Sequence, residues 1–278
     1  MKKVISYIFS FILVIFIIFT CFISIFESTI LSKEYVISKL EDANYYERMN
    51  GEIEEQFKSY TIQSGLSYDV IENLYTSDQL TQDINNVIDA IYTGKELEID
   101  TTEIKENLQK NILTEVEQEG KTVDFDDVAT KEYLNAIENA YESQVSYSTN
   151  IVNSIGSTFV KILDLSEKAQ IVGYVGIAII AVLIIIINRK QVVGLNYLAI
   201  SAMASGLFII ACRLIAEFSM DLKNIMIMNQ ATSNVIQLII NDILTSVTMI
   251  GSVLAVVGIL ASIIYQLLHK KYFAKVEQ

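Results

Sequence analysis

From Val4 to Phe26 the chain carries no charged residue: VISYIFSFILVIFIIFTCFISIF is 23 residues dominated by Ile, Phe, Val and Leu. A helix of that length rises roughly 35 Å, enough to cross the ~30 Å hydrocarbon core of a bilayer. Backbone amides inside a bilayer find no water, so a lone spanning segment must satisfy them as a helix. Three further blocks share the property: Ile171–Ile187, Val192 to about Cys212, and about Met249 to Leu268. Proline is absent from the whole chain, which leaves only glycine and polar caps to interrupt helices. The expected fold class is therefore all-α: four transmembrane helices, with a helical extracytoplasmic domain between spans one and two.

Charge divides the chain as sharply as hydropathy does. Residues 27–168 hold 29 acidic and 11 basic side chains, a net of −18, while the remainder is net +5. Positive residues cluster at Lys2-Lys3, at Arg189-Lys190 and at His269-Lys270-Lys271, next to the spans. The positive-inside rule puts all three clusters in the cytoplasm, so residues 27–168 and the 213–248 connection face outward. The expected localisation is the plasma membrane, multi-pass, with both termini cytoplasmic. Lys2-Lys3 also looks like the start of a signal peptide. The apolar run behind it exceeds the usual ~7–15-residue signal core and no A-x-A-like cleavage site follows, so it reads as an uncleaved signal anchor. Three regions result: the anchor at 1–26, an acidic helical domain at 27–168, and a three-helix transmembrane bundle at 169–278 ending in a basic tail. The acidic middle excludes nucleic acid as a partner, since that requires a basic footprint, and argues equally against docking flat on anionic lipid.

Within the acidic region apolar residues recur at helical steps. Val36, Ile37 and Leu40 are followed by Met49, Ile53, Phe57 and Tyr60, and Gly65 interrupts them. Ser77 is placed to N-cap a helix carrying Leu80, Ile84, Val87, Ile88 and Ile91, with Gly94 as its stop. Asp100-Thr101-Thr102-Glu103 resembles a capping box before Ile104, Leu108, Ile112 and Val116, and Gly120 ends that helix. Leu134, Ile137, Tyr141 and Val145 continue through Val152, Ile155, Phe159 and Ile162 towards the second span. Two readings stand for this last stretch: one helix running into the membrane, or a break at Ser154–Ser157, where glycine and serine lower helicity. Met226, Met228, Ile236, Ile239, Ile240 and Leu244 suggest an interfacial helix pair in the outer connection.

The spans hold no Asp, Glu or Lys at mid-depth, the usual mark of ion pathways. They hold stripes of small residues instead. Gly251, Ala255, Gly258 and Ser262 line one face of span four; Ala199, Ala202 and Gly206 line one face of span three, beside Ser201 and Ser205. Small stripes let helix backbones approach closely, which predicts packing among spans two to four, with homo-oligomerisation as the sharper use of the same surface. Arg213 and Glu217, four apart, are expected to pair near the outer interface. Cys21 and Cys212 fall at the same end of their spans. A bond between them stays open beside the commoner role of small apolar packing.

No reactive constellation emerges. Asp124-Phe125-Asp126-Asp127 lacks the glycine and terminal glutamate of a calcium loop and is better explained as a helix cap. His269 has no partner histidine or cysteine for zinc. The expectation is no catalytic residue, no metal and no cofactor. Across the layout and the Ile91-Tyr92-Thr93-Gly94-Lys95-Glu96-Leu97-Glu98-Ile99-Asp100 stretch, the chain resembles four-span membrane proteins of low-GC Gram-positive, clostridial-type bacteria. That resemblance implies no particular activity. The order of loops also resembles permeases of the FtsX/MacB type, although only about four residues separate spans two and three here, too few for a coupling helix to a cytoplasmic ATPase. The chain is thus expected to be a non-enzymatic integral membrane protein whose partners are the lipid bilayer and an envelope protein bound by the outer domain. The alternative is a permease or channel component.

Overall fold

The computed structural model describes residues 2–146, 148–188, 192–219 and 230–273. Among these residues the secondary structure is helical and no strand occurs. In chain order the helices are α1 (Lys2–Glu27), α2 (Lys33–Asp42), α3 (Tyr45–Ser64), α4 (Ser77–Thr93), α5 (Thr102–Gln118), α6 (Val128–Ser146), α7 (Thr149–Ile187), α8 (Val193–Ser219) and α9 (Gln230–Phe273). A short 3-10 turn, Tyr68–Ile71, lies between α3 and α4. Four helices, α1, α7, α8 and α9, are long and apolar enough to cross a membrane. The chain forms two compact units. The span unit comprises Met1–Tyr35, Leu163–Met228 and Ile236–Gln278; the helical unit comprises Val36–Ile162 and Asn229–Val235.

The span unit has the polarity expected of helices in lipid, where a protein interior is no more apolar than its surroundings. On α1 the large side chains Val4, Tyr7, Phe11, Ile15 and Phe19 face outward, each at least half exposed, whereas Ser6, Ser10 and Thr20 are buried. These outward residues make up one face of α1 only. Its other face packs most extensively against α8. Ser201 Oγ donates to the carbonyl of Ser10 at 3.2 Å as well as to Tyr197 O in its own helix. Apolar clusters of this unit join Leu13 with Ile180, Ile184 and Tyr197, and Ile25 with Ile209 and Val247.

The helical unit is built round α3, which packs against α4, α6 and the 3-10 turn. Met49, Ile53 and Phe57, at steps of four, meet a core completed by Leu80, Ile104, Leu108, Ile137 and Tyr141, all at most 1% exposed. Burying each such side chain stabilises the fold by about 1.5–3 kcal/mol before entropy is charged against it. Thr61, not Tyr60, continues the buried stripe of α3, its hydroxyl satisfied by the Phe57 carbonyl at 2.8 Å. Gly65, Gly94 and Gly120 all take positive φ, and each lies where a helix was expected to stop.

The ends of several helices differ from the sequence reading. Thr76, not Ser77, caps α4: its Oγ1 accepts from the Gln79 amide at 3.1 Å. At α5 no capping box forms. Asp100 Oδ1 accepts from the Thr102 amide at 2.9 Å in a local turn, and the Thr101 hydroxyl is drawn away to Glu138. Helix α6 ends at Ser146 and α7, which begins at Thr149, runs unbroken through Ser154–Ser157, so the glycine and serine there do not interrupt it. Local propensity loses because Gly156 is needed small: a Cβ there would stand 2.6 Å from the Ala90 carbonyl oxygen of α4. The apolar residues of 230–245 do not form a separate pair of helices; they are the first turns of α9. Met226 and Met228 lie outside the described residues. The Glu52 carboxylate of α3 accepts from the Ala231 amide at 3.1 Å, placing an anion at the N-terminus of α9, where the helix dipole favours it.

Candidate functional site

In the span unit the predicted small residues meet across one seam. A side chain at Gly206 would stand 2.5 Å from the Ala255 amide nitrogen and the Gly251 carbonyl oxygen. One at Gly258 would stand 2.5 Å from the Met203 nitrogen and 2.8 Å from the Ala199 oxygen. The backbones of α8 and α9 therefore touch along Ala199, Gly206, Gly251, Ala255 and Gly258. Ala202 and Ser262 are half-buried and lie outside these closest contacts. Ser201 and Ser205 point elsewhere, towards the carbonyls of Ser10 and Val14 on α1. A second close approach was not anticipated: side chains at Gly173 and Gly176 of α7 would overlap Thr20 and Phe16 of α1. Two glycines three apart in an otherwise Ile- and Val-rich run were the available signal.

Arg213 and Glu217 pair as expected, Nη2 to Oε1 at 3.0 Å and Nε to the same oxygen at 3.2 Å. The guanidinium also donates from Nη1 to the Thr248 hydroxyl of α9, a partner that helix spacing alone does not indicate. Cys21 and Cys212 are free thiols, and Cys21 packs beside Ile25 and Val247.

The helical unit holds a cavity of about 400 Å³ between α3 and the 3-10 turn region, within the usual range of ligand sites. Glu54, Lys58, Tyr68, Glu72, Asn73 and Tyr75 are among its walls. Two carboxylates against one ammonium leave it net negative. The loop that carries Tyr68 to Tyr75 is held by α5. Asn107 Nδ2 donates to Leu74 O at 3.1 Å, Asn111 Nδ2 to Val70 O at 3.1 Å and to Glu72 O at 3.0 Å, and Glu115 accepts from both the Ser67 amide and hydroxyl at 2.9 Å. These three polar residues sit at steps of four on α5, beside its buried Ile104, Leu108 and Ile112 stripe. The step of four was legible; its purpose was not, because its targets lie some 40 residues earlier in the chain.

Tyr75 is the unusual member. Its ring packs on Phe57 and Tyr141, with centroids 6.2 and 5.0 Å away. Its hydroxyl is buried, and no hydrogen-bond partner for it occurs among the described residues. Burial first, then the Glu54 carboxylate, pushes its pKa well above the ordinary phenol value, so it keeps its proton at neutral pH. Leaving such a group unmatched costs about 1–3 kcal/mol, which a bound acceptor or donor would recover. Tyr141, by contrast, donates to Asp83 Oδ2 at 2.7 Å.

Among the described residues no group of three or more His, Cys, Asp or Glu side chains is arranged to hold a metal ion. The acidic cluster acts locally: Asp127 Oδ2 accepts from the Ala129 amide at the start of α6, and Asp126 pairs with Lys131 Nζ at 2.8 Å. The Lys131 ammonium holds the exposed Asp126 carboxyl below its usual value. Compared with known proteins, the chain matches no family model, no curated protein and no solved structure. The class to which fold and composition assign it is an all-helical protein with four helices able to cross a membrane.

Proposed function

We propose that the chain is a non-enzymatic plasma-membrane protein whose helical unit lies outside the cell and binds an envelope partner, both termini being cytoplasmic and α1 serving as an uncleaved signal anchor. The observation that carries the binding role is the net-negative cavity beside the orphan Tyr75 hydroxyl. It fits a partner segment that presents an amine or guanidinium group and a hydrogen-bonding atom within reach of Tyr75. The distribution of charge about the spans supports the orientation, since the basic clusters fall at alternate connections.

Orientation is tested by alkaline phosphatase fused after Gly120: an active fusion is expected, and an inactive one overturns the outward placement. Binding is tested in intact cells with a photo-crosslinking residue at Tyr68. A discrete adduct is expected, lost when Glu54→Gln and Glu72→Gln are combined. An unchanged adduct pattern in that double variant removes the cavity from the function.

A further inference from the structure

At the Lys2 end of the span unit, away from the glycine seam, α1, α7, α8 and α9 line an open crevice of about 740 Å³. Its polar lining is Lys2, Lys3, Tyr7, Asn188, Tyr197, Tyr265 and His269, and among the described residues no carboxylate lines it. From this geometry we infer a binding site for a phosphate group, as carried by the headgroup of an anionic glycerophospholipid.

The electrostatics of the walls favour an anion from several independent sides. Lys2 and Lys3 occupy the first turn of α1, where the positive end of the helix dipole already stands, and neither α1 nor α8 has an acidic residue in its first turn. Two ammonium groups there raise the positive potential instead of offsetting it, and neither has an ion-pair partner among the described residues. Val193, the first residue of α8, also lines the cavity, so a second helix N-terminus faces it. Amide donors at helix N-termini and ammonium groups are the usual means of holding phosphate.

The remaining polar groups supply direction. The Tyr7 and Tyr197 rings meet edge to face at 5.2 Å, and Tyr265 stands over His269 with ring centroids 5.4 Å apart. The Tyr7 and Tyr265 phenol groups give hydrogen-bond donors on rigid rings at the level where a membrane interface would lie. Asn188 belongs to the wall but offers no free donor, since Nδ2 already donates to Ser6 Oγ at 2.9 Å and to Ile184 O at 2.8 Å. Ile186 and Ile187 provide the apolar rim against which the glycerol and first acyl carbons of a lipid would rest. A basic, aromatic crevice between spans is the form in which anionic headgroups are held.

The inference rests on the membrane reading of the four helices, but not on which side of the membrane the cavity faces. The test uses the purified full chain in detergent, mixed with equal amounts of phosphatidylglycerol and phosphatidylcholine and read by native mass spectrometry. One phosphatidylglycerol per chain is expected, preferred at least tenfold over phosphatidylcholine. The double variant Lys2→Gln/Lys3→Gln should lower that preference at least fivefold. Tyr265→Phe, which leaves every charge in place, should lower it about threefold. Lys270→Gln, an exposed lysine outside the cavity, should leave it unchanged. Millimolar inorganic phosphate distinguishes the source: retention of the lipid assigns a headgroup, and its displacement assigns a soluble phosphate. Equal retention of the two lipids, or a loss in Lys270→Gln as large as in the double variant, overturns the site. Alkaline carbonate extraction of native membranes separates the two readings, because a chain that resists extraction yet shows no lipid preference overturns the phosphate site alone.

Discussion

Gly258 stands where a side chain would meet the backbone of α8, so no rotamer can relieve the conflict. Gly258→Leu should therefore cost at least the upper part of the usual ~1–3 kcal/mol for overpacking. In detergent that corresponds to a fall in Tm of roughly 5–10 °C for a chain of this size. Ser262→Leu, one turn along and only half-buried, should shift Tm by less than half as much. Near-equal effects would mean that the seam is not the tight contact. Asp83 makes a different prediction. Burial raises its pKa above 3.8 and the Asp100 charge adds to that, while the hydrogen bond from Tyr141 opposes it. Between the ordinary and the raised value the folded chain therefore binds more of this proton than the unfolded chain does. The stability this group contributes is complete below the ordinary carboxylate value and is lost as pH rises through the raised one. Asp83→Asn retains an acceptor for Tyr141 and cannot ionise. Hydrogen exchange should show α4 better protected in Asp83→Asn than in the parent chain at pH 7, and equally protected near pH 3.

Among the elements, α5 does two jobs with two faces. Ile104, Leu108 and Ile112 fill the core, and Asn107, Asn111 and Glu115 hold the loop that forms the Tyr75 cavity. Asn111 satisfies two loop carbonyls at once, so Asn111→Ala should cost about 1–3 kcal/mol, the loss of two modest hydrogen bonds. The loss should appear as faster exchange at Ser67–Leu74 with α3 unaffected; uniform destabilisation would show instead that the loop folds only with the core. Helix α7 carries the other element-scale prediction. Ser157 and Thr158 hydroxyls both return to the Ser154 carbonyl, at 2.9 and 3.3 Å, so these polar residues satisfy themselves inside the helix instead of breaking it. Amides across 154–157 should exchange as slowly as their neighbours, and a locally fast window would contradict a continuous helix.

For the whole molecule, the four long helices, the all-helical class and most glycine stops were legible because each depends on local composition. An uncharged run of 23 residues has few other folds available, and Gly65, Gly94 and Gly120 mark stops because only glycine takes positive φ at little cost. Capping was less legible: Thr76 and Asp100 each compete with a neighbour of similar chemistry, and one hydrogen bond decides the outcome. The arrangement of faces was hidden altogether. Periodicity shows that Gly206 and Gly258 lie on small stripes but cannot say that the stripes meet each other, or that Ser201 and Ser205 turn to α1. Nor does any spacing link Lys2 and Lys3 to Tyr197, Tyr265 and His269, or Asn111 to Val70. By itself the sequence determined which segments are helices and which of them suit a bilayer, since those properties follow from nearest neighbours along the chain. Tertiary structure alone decided which backbones touch and which cavities remain, because both depend on the shapes of residues brought together from distant parts of the chain.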